Sequence, residues 1–212
     1  MCGISGIYAF NPSAPPADRV DLRAIRDHMV ARGPDGHGEW FSSDGRIAFG
    51  HRRLAIIDLT EGGAQPMSSA DGQLVITFNG EIYNYQALRK TLEAQGHVFR
   101  SDSDTEVLLH LYQAKGDAML QDLRGMFAFA VWDARKQAML LARDAFGIKP
   151  LYYTNGNSTL RFASQVKALL AGGQIDTTPE PAGHAGFFLW GSVPAPFTLY
   201  RGIRALPAGH CM

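Results

Sequence analysis

The stretch Gly125-Met126-Phe127-Ala128-Phe129-Ala130-Val131-Trp132-Asp133 carries the fold. Met126–Trp132 is apolar on both alternating faces, which predicts a strand covered on both sides. Asp133–Lys136 reads as a hairpin turn into a second strand, Ala138–Ala142. Upstream, Asp71-Gly72 is a turn signal before Leu74–Phe78. Further strands are expected at Gly3–Phe10, Gly38–Phe41, Arg46–Phe49, Leu54–Ile57, Leu151–Tyr153 and Leu160–Ala163. Helical spacing predicts Asp18–Ala31, with Leu22, Ile25 and Met29 on one face and Gly33-Pro34 as the stop. Two more helices follow, one capped by Asn84 and ended near Gly96, the other over Thr105–Ala114 and ended at Gly116. A short helix fits Val166–Leu170. Strands massed in the middle with helices outside imply an α+β fold with a sheet-on-sheet core.

Composition narrows the class. The 212 residues suffice for one domain with a substantial core, and 46% hydrophobic against 19% charged residues excludes a disordered chain. Twenty basic and twenty acidic side chains balance, so no nucleic acid and no membrane is expected as a partner. The longest apolar runs fall well short of the ~18–20 residues of a spanning helix. No secretory signal opens the chain, and two cysteines without ligand spacing argue against a disulfide framework or zinc site, so a reducing, cytoplasmic setting is expected. The Pro- and Gly-rich last thirty residues read as a peripheral extension, and the ending after Leu206-Pro207-Ala208-Gly209-His210 reads as a cut or a domain edge.

One chemical feature stands out at the start, Met1-Cys2-Gly3-Ile4. Removal of an initiator methionine before a small residue would leave Cys2 with a thiol and a free α-amine. Free thiols titrate near ~8.5 and α-amines near ~7.7–8.0. Nucleophile and base then share one residue. By itself Cys2 is as readily a buried structural residue. Phe78-Asn79-Gly80-Glu81 ends a strand with an amide and a glycine N–H side by side, either a plain Asn-Gly turn or an oxyanion-binding pair. Arg52-Arg53 is either a solvated basic pair or an anion clamp, and Ser103-Asp104-Thr105-Glu106 is by default an acidic helix start.

Taken together, these segments resemble the glutaminase domain of class II glutamine amidotransferases, which are N-terminal-nucleophile hydrolases. The resemblance is strongest to the asparagine synthetase (glutamine-hydrolysing) branch. It rests on Met1–Ile4, Arg32-Gly33-Pro34-Asp35-Gly36, Gly50–Asp58, Gln65-Pro66, Phe78–Asn84, Ser103–Val107, Gly125–Ala130, Arg143-Asp144 and Gly147–Tyr153, in order along nearly the whole chain. It implies a four-layer αββα sandwich of two antiparallel sheets flanked by helices, with residues 1–180 as the glutaminase domain and 181–212 leading toward a synthetase domain.

The same resemblance implies site roles. Cys2 attacks the side-chain amide of glutamine, and Asn79 and Gly80 form the oxyanion hole. Arg53 binds the α-carboxylate, Glu81 and Asp104 hold the α-ammonium, and the backbone near Leu54 and Ile56 adds contacts. No cofactor is expected for this half. ATP and magnesium belong to a synthetase domain, supplied in cis or in trans, and a homodimer is one assembly compatible with the chain. Two positions depart from the pattern, Ala31 where relatives carry histidine and Gln165 where they carry glutamate, and no Ser-Gly-Gly-x-Asp-Ser loop occurs. Rival readings are a non-catalytic glutamine-sensing or scaffolding module, a glutaminase domain serving a different amidotransferase acceptor, and a Cys–His hydrolase pairing Cys2 with His51.

Overall fold

The computed structural model describes residues 1–173 and 175–212. In chain order its elements are β1 (Gly3–Ala9), α1 (Arg19–Asp27), β2 (Gly36–Phe41), β3 (Ile47–Arg53), β4 (Met67–Ser68), β5 (Leu74–Ile82), α2 (Tyr85–Ala94) and α3 (Asp104–Lys115). Then come β6 (Gly125–Asp133), β7 (Ala138–Arg143), β8 (Tyr152–Gly156), β9 (Thr159–Ala163), α4 (Val166–Gly172), α5 (Pro181–Trp190) and β10 (Arg204–Ala205). One sheet has the order β10-β8-β9-β1-β3-β2 and the other β4-β5-β6-β7; every pairing is antiparallel.

The period-2 patterns sort the layers. On β6, Phe127, Phe129 and Val131 pack with Val107, Leu108 and Leu111 of α3, while Ala128, Ala130 and Trp132 turn toward the other sheet. There they meet Ile4 of β1, Ile47 and Phe49 of β3 and Phe162 of β9. The outer face of the larger sheet is covered by α1 and α4, through Ile25, Met29, Ala168 and Leu169. The result is helix, sheet, sheet, helix, an αββα sandwich, because β6 has apolar side chains on both faces and can be buried on both.

Several boundaries differ from the sequence reading. Leu54–Ile57 is not a strand. Its apolar residues line an irregular loop, and Ile56 is largely exposed. The first helix ends at Asp27, although Met29 beyond it is still fully buried. Asn84 occupies the cap position of α2 without capping it; its amide instead donates to the Asp122 carbonyl (2.9 Å) and accepts from the Arg124 N–H (3.0 Å). The tail is not peripheral. β10 joins the larger sheet with Ile203, Ala205 and Leu206 buried, and Met212 exchanges both backbone bonds with Leu141 on the edge of the smaller one (2.7 and 2.9 Å). No described helix is long and apolar enough to cross a membrane.

On β1, Gly6 leaves room for the rings of its cross-strand neighbours Phe49 and Phe162, which fill the inter-sheet core above it. An added Cβ would lie 2.3 Å from Phe162 and 2.9 Å from Phe49. Gly6→Ala should therefore overpack the inter-sheet core and cost about 1–3 kcal/mol. At roughly 2–4 °C per kcal/mol for a chain of this size, thermal unfolding should show the loss directly. A melting temperature equal to that of the parent would mean that the two rings can move aside.

Candidate active site

All eight residues singled out from the sequence, Cys2, Arg53, Leu54, Ile56, Asn79, Gly80, Glu81 and Asp104, line one open cleft with about 580 Å³ of empty space. Strand parity explains the convergence. Cys2 lies two residues before Ile4, whose side chain is in the inter-sheet core, and so shares its face. Asn79 and Glu81 continue the inward-facing row that begins at Val75. The cleft is the end of the sandwich where β1 starts and β5 finishes.

Two inward-facing donors arise at an unpaired edge. β4 covers only Ile76 and Val75, so the outer edge of β5 is bare beyond them. In an antiparallel ladder alternate N–H groups point to opposite sides. The Phe78 N–H is taken by the Gln65 Oε1 (2.6 Å) and the Ile82 N–H by the Asp104 Oδ2 (3.0 Å), both on that outer edge. The Gly80 N–H between them points the same way, into the cleft. Beside it Asn79 is 1% exposed, and its Nδ2 has no hydrogen-bond partner among the described residues. Leaving a buried amide unpaired costs about 1–3 kcal/mol. Gly80 must be glycine here, since a Cβ would meet the Met126 carbonyl at 2.3 Å.

The thiol of Cys2 sits against the loop after β3, with the Leu54 N–H donating to its sulfur (3.4 Å) and the sulfur 3.6 Å from the Leu54 carbonyl. Burial pushes its pKa up, more than the Leu54 N–H, the chain terminus, Arg53 and Lys149 pull it down. The terminal amine, carried by Met1 in this chain, has its pKa lowered, first by burial and then by Arg32 and Lys149, against the opposing effect of Cys2. The proton thus rests on sulfur while the amine is eased toward its free-base form. Arg32 Nε donates to the Cys2 carbonyl at 3.0 Å and fixes this corner.

Arg53 has a structural duty. Its guanidinium donates to the carbonyls of Thr60 (2.9 Å) and Asp58, holding the loop that replaced the expected strand. Asp58 secures the same loop by accepting from the Thr60 N–H (3.0 Å) and the Asp102 N–H (3.2 Å). Asp104, in the first turn of α3, is 4% exposed. Burial raises its pKa to about 6, opposed by the N–H groups of Ile82 and Thr105 and reinforced by Glu81.

His51 does not line the cleft. It is buried between the sheets with Nε2 3.2 Å from the Phe78 carbonyl, and burial pushes its pKa down to about 4. It is a neutral strut, which removes the Cys–His pairing. Sequence reasoning missed Gln65 and Lys149. Gln65 couples the Phe78 N–H to the Thr105 hydroxyl (3.1 Å). Both residues lay within quoted motifs, but nothing in their local sequence separates a cleft-lining side chain from a turn residue.

Over residues 1–212 the chain matches the family described as glutamine amidotransferase domain. It is 42% identical over 210 residues to asparagine synthetase [glutamine-hydrolyzing] 1 of Bacillus subtilis, covering 99% of this chain and 33% of that protein. It is 39% identical over 224 residues to a putative asparagine synthetase [glutamine-hydrolyzing] of Mycobacterium tuberculosis, covering 99% and 34%. The chain thus spans about a third of the length of these curated relatives. Its fold is similar to that of glutamine phosphoribosylpyrophosphate amidotransferase from B. subtilis (TM-score 0.69, 24% identity, 81% of this chain and 43% of that one).

Asp104 makes the cleft costly to build. Its folded pKa of about 6 lies above the ordinary value of 3.8, so folding disfavours its ionised form. Stability is full below the unfolded value and declines as pH rises through the folded one, by about 3 kcal/mol in all. Asp104→Asn should gain most of that at pH ~8 and nothing below pH ~4 in urea unfolding. A gain independent of pH would contradict the burial cost.

Proposed function

The chain belongs to the glutamine amidotransferase family, and from that premise we propose that it hydrolyses free glutamine to glutamate and ammonia with Cys2 as nucleophile. The observation that carries the reading is the buried, unpartnered Asn79 amide beside the edge-directed Gly80 N–H, in the same cleft as the Cys2 thiol. Such a pair of donors is costly unless something negative arrives between them.

In the mature chain Met1 is removed and the α-amine belongs to Cys2. That amine takes the thiol proton as sulfur attacks the side-chain amide carbon. Asn79 and Gly80 receive the oxygen as it becomes negative. The carbon–nitrogen bond breaks when the amine returns the proton to the departing ammonia, leaving a thioester. Water then attacks the thioester, and sulfur leaves with a proton returned through the same amine. Burial serves this sequence by keeping the nucleophile protonated until substrate excludes water.

Free glutamine is read by its zwitterionic end. Arg53 offers the α-carboxylate the donors not committed to the loop, and Glu81 and Asp104 face the α-ammonium. An arriving ammonium would stabilise the Asp104 carboxylate, so the cost of burying its charge is relieved by binding. Leu54 and Ile56 complete the wall. A glutamine within a peptide lacks both charges and leaves these partners unpaired, which rejects it.

The remainder of the assignment extends beyond this chain. Residues 1–180 would form the glutaminase proper and 181–212 the passage to a synthetase domain. That domain would use ammonia in ATP- and magnesium-dependent asparagine synthesis from aspartate, in the cytoplasm. The names and lengths of the relatives support this reading.

Cys2→Ala should abolish glutamine hydrolysis while leaving the fold intact, and Asn79→Ala should lower kcat by about 10²–10³. Arg53→Ala should raise KM and also loosen the Leu54–Gly63 loop to proteolysis. Glutamate release, together with intact mass to establish loss of Met1, tests the reading. A processed, folded chain with full turnover after Cys2→Ala would refute it. Persistent Met1 with tight glutamine binding and no turnover would favour the sensing module.

A further inference from the structure

The cleft contains one cation without a partner. Lys149 is 5% exposed and lines the same wall as Cys2, Asn79 and Glu81. Its ammonium makes no hydrogen bond or ion pair with any described residue, whereas the other two cations nearby are committed. Arg32 is tied to the Cys2 carbonyl through Nε, with its Nη2 buried and unpartnered among the described residues, and Arg53 to the carbonyls of Asp58 and Thr60. The carboxylates of Glu81 and Asp144 attract the Lys149 ammonium without forming an ion pair, and the Cys2 sulfur is a further anion within its reach once ionised.

The turn that presents Lys149 is rigid. Asp144 is wholly buried and accepts four backbone N–H groups, those of Phe146 (3.1 Å), Ile148 (2.9 Å), Lys149 (3.0 Å) and Phe127 (3.2 Å). Arg143 closes the other side by donating to the carbonyls of Lys149 (2.8 Å) and Gly147 (2.7 Å). This much buried bonding fixes the backbone from which the lysine enters the cleft. It does so for a residue that would otherwise be at home in water.

Resting on the reading of Cys2 as nucleophile, we infer that Lys149 is a positioning residue for the glutaminase reaction, the fixed positive charge against which the Cys2 thiolate forms and the neighbouring α-amine stays unprotonated. The charged groups that face the thiol and the chain terminus are Arg32 and Asp35 after α1, Arg53 at the end of β3, Glu81 on β5, Asp104 at the start of α3, and Lys149. Three carboxylates match the two arginines and the lysine in number, but among these cations only the Lys149 ammonium is held by no hydrogen bond or ion pair to a described residue, and it lines the cleft beside Cys2. Direct electrostatic coupling runs from Lys149 to both the thiol and the terminal amine, favouring ionised sulfur and neutral nitrogen. Removing the cation should therefore shift both groups toward higher pH, since each pKa rises.

The test uses Lys149→Met, close in volume but neutral, and Lys149→Arg, which restores the charge. Alkylation of the purified chain by iodoacetamide is followed across pH, with peptide mapping to separate Cys2 from Cys211. Cys211 is exposed and serves as an internal reference. In Lys149→Met the Cys2 midpoint should move up by about one pH unit, a roughly tenfold slower reaction at neutral pH. The acid limb of kcat/KM for glutamine should move the same way. The Cys211 profile should stay in place, and Lys149→Arg should track the parent. Lys149→Gln reads the same quantity should the methionine variant not fold.

Superimposable Cys2 profiles in parent and Lys149→Met, with a parent that hydrolyses glutamine, would overturn the role of Lys149 alone. So would Lys149→Arg displaced as far as the neutral variant. A processed parent that neither labels at Cys2 nor hydrolyses glutamine would overturn the underlying reading and this inference with it.

Discussion

The early end of β4 is the constraint from which the rest follows. Because that strand covers only two residues of β5, the edge from Phe78 to Ile82 has no neighbouring backbone to satisfy it. Two of its three outward N–H groups are taken by side chains, Gln65 and Asp104. The third, at Gly80, opens on the cleft with the unpaired Asn79 amide beside it. Unpaired edges are normally hazards that folds cover or blunt. Here the edge is kept short, buried and flanked by occupied positions, so that only an atom of ligand size can reach it.

Stability is given up around this edge. Asn79 leaves a donor unsatisfied, and Asp104 carries a carboxyl where burial disfavours its charge. Each is unfavourable in the empty protein, and each is of the sign that free glutamine or its reacting amide would relieve. Clustering of such unfavourable groups in one cleft is the pattern expected of a preorganised site. The surrounding hydrophobic layers supply the compensating stability, with Phe49, Phe129 and Phe162 wholly buried on both sides of the smaller sheet.

How much of this could be read from the amino-acid order depended on periodicity. The two-sided apolar run of β6 announced the layers, because only a strand sandwiched between other layers tolerates it. The same alternation carried Cys2, Asn79 and Glu81 to one face. Leu54–Ile57 misled for the same reason, since four residues of mixed apolar character fit an edge strand and a cleft-side loop equally well. Asn84 has the chemistry of a cap, but tertiary bonds to Asp122 and Arg124 outcompeted the local one. Lys149 was invisible because nothing in Gly147-Ile148-Lys149-Pro150 distinguishes an inward lysine from a solvated one. Only the fold shows that Asp144 gathers the turn and points it inward.

The central claim is that Asn79 and Gly80 act together on an oxygen that becomes negative when Cys2 attacks. The most direct measurement is a crystal structure of the processed chain reacted with the aldehyde analogue of glutamine, which would trap a thiohemiacetal on Cys2. The account predicts its oxygen within hydrogen-bond distance, about 2.7–3.1 Å, of both the Asn79 Nδ2 and the Gly80 nitrogen. An adduct on Cys2 whose oxygen faces solvent or Arg53, with the Asn79 amide still unpartnered, would contradict it.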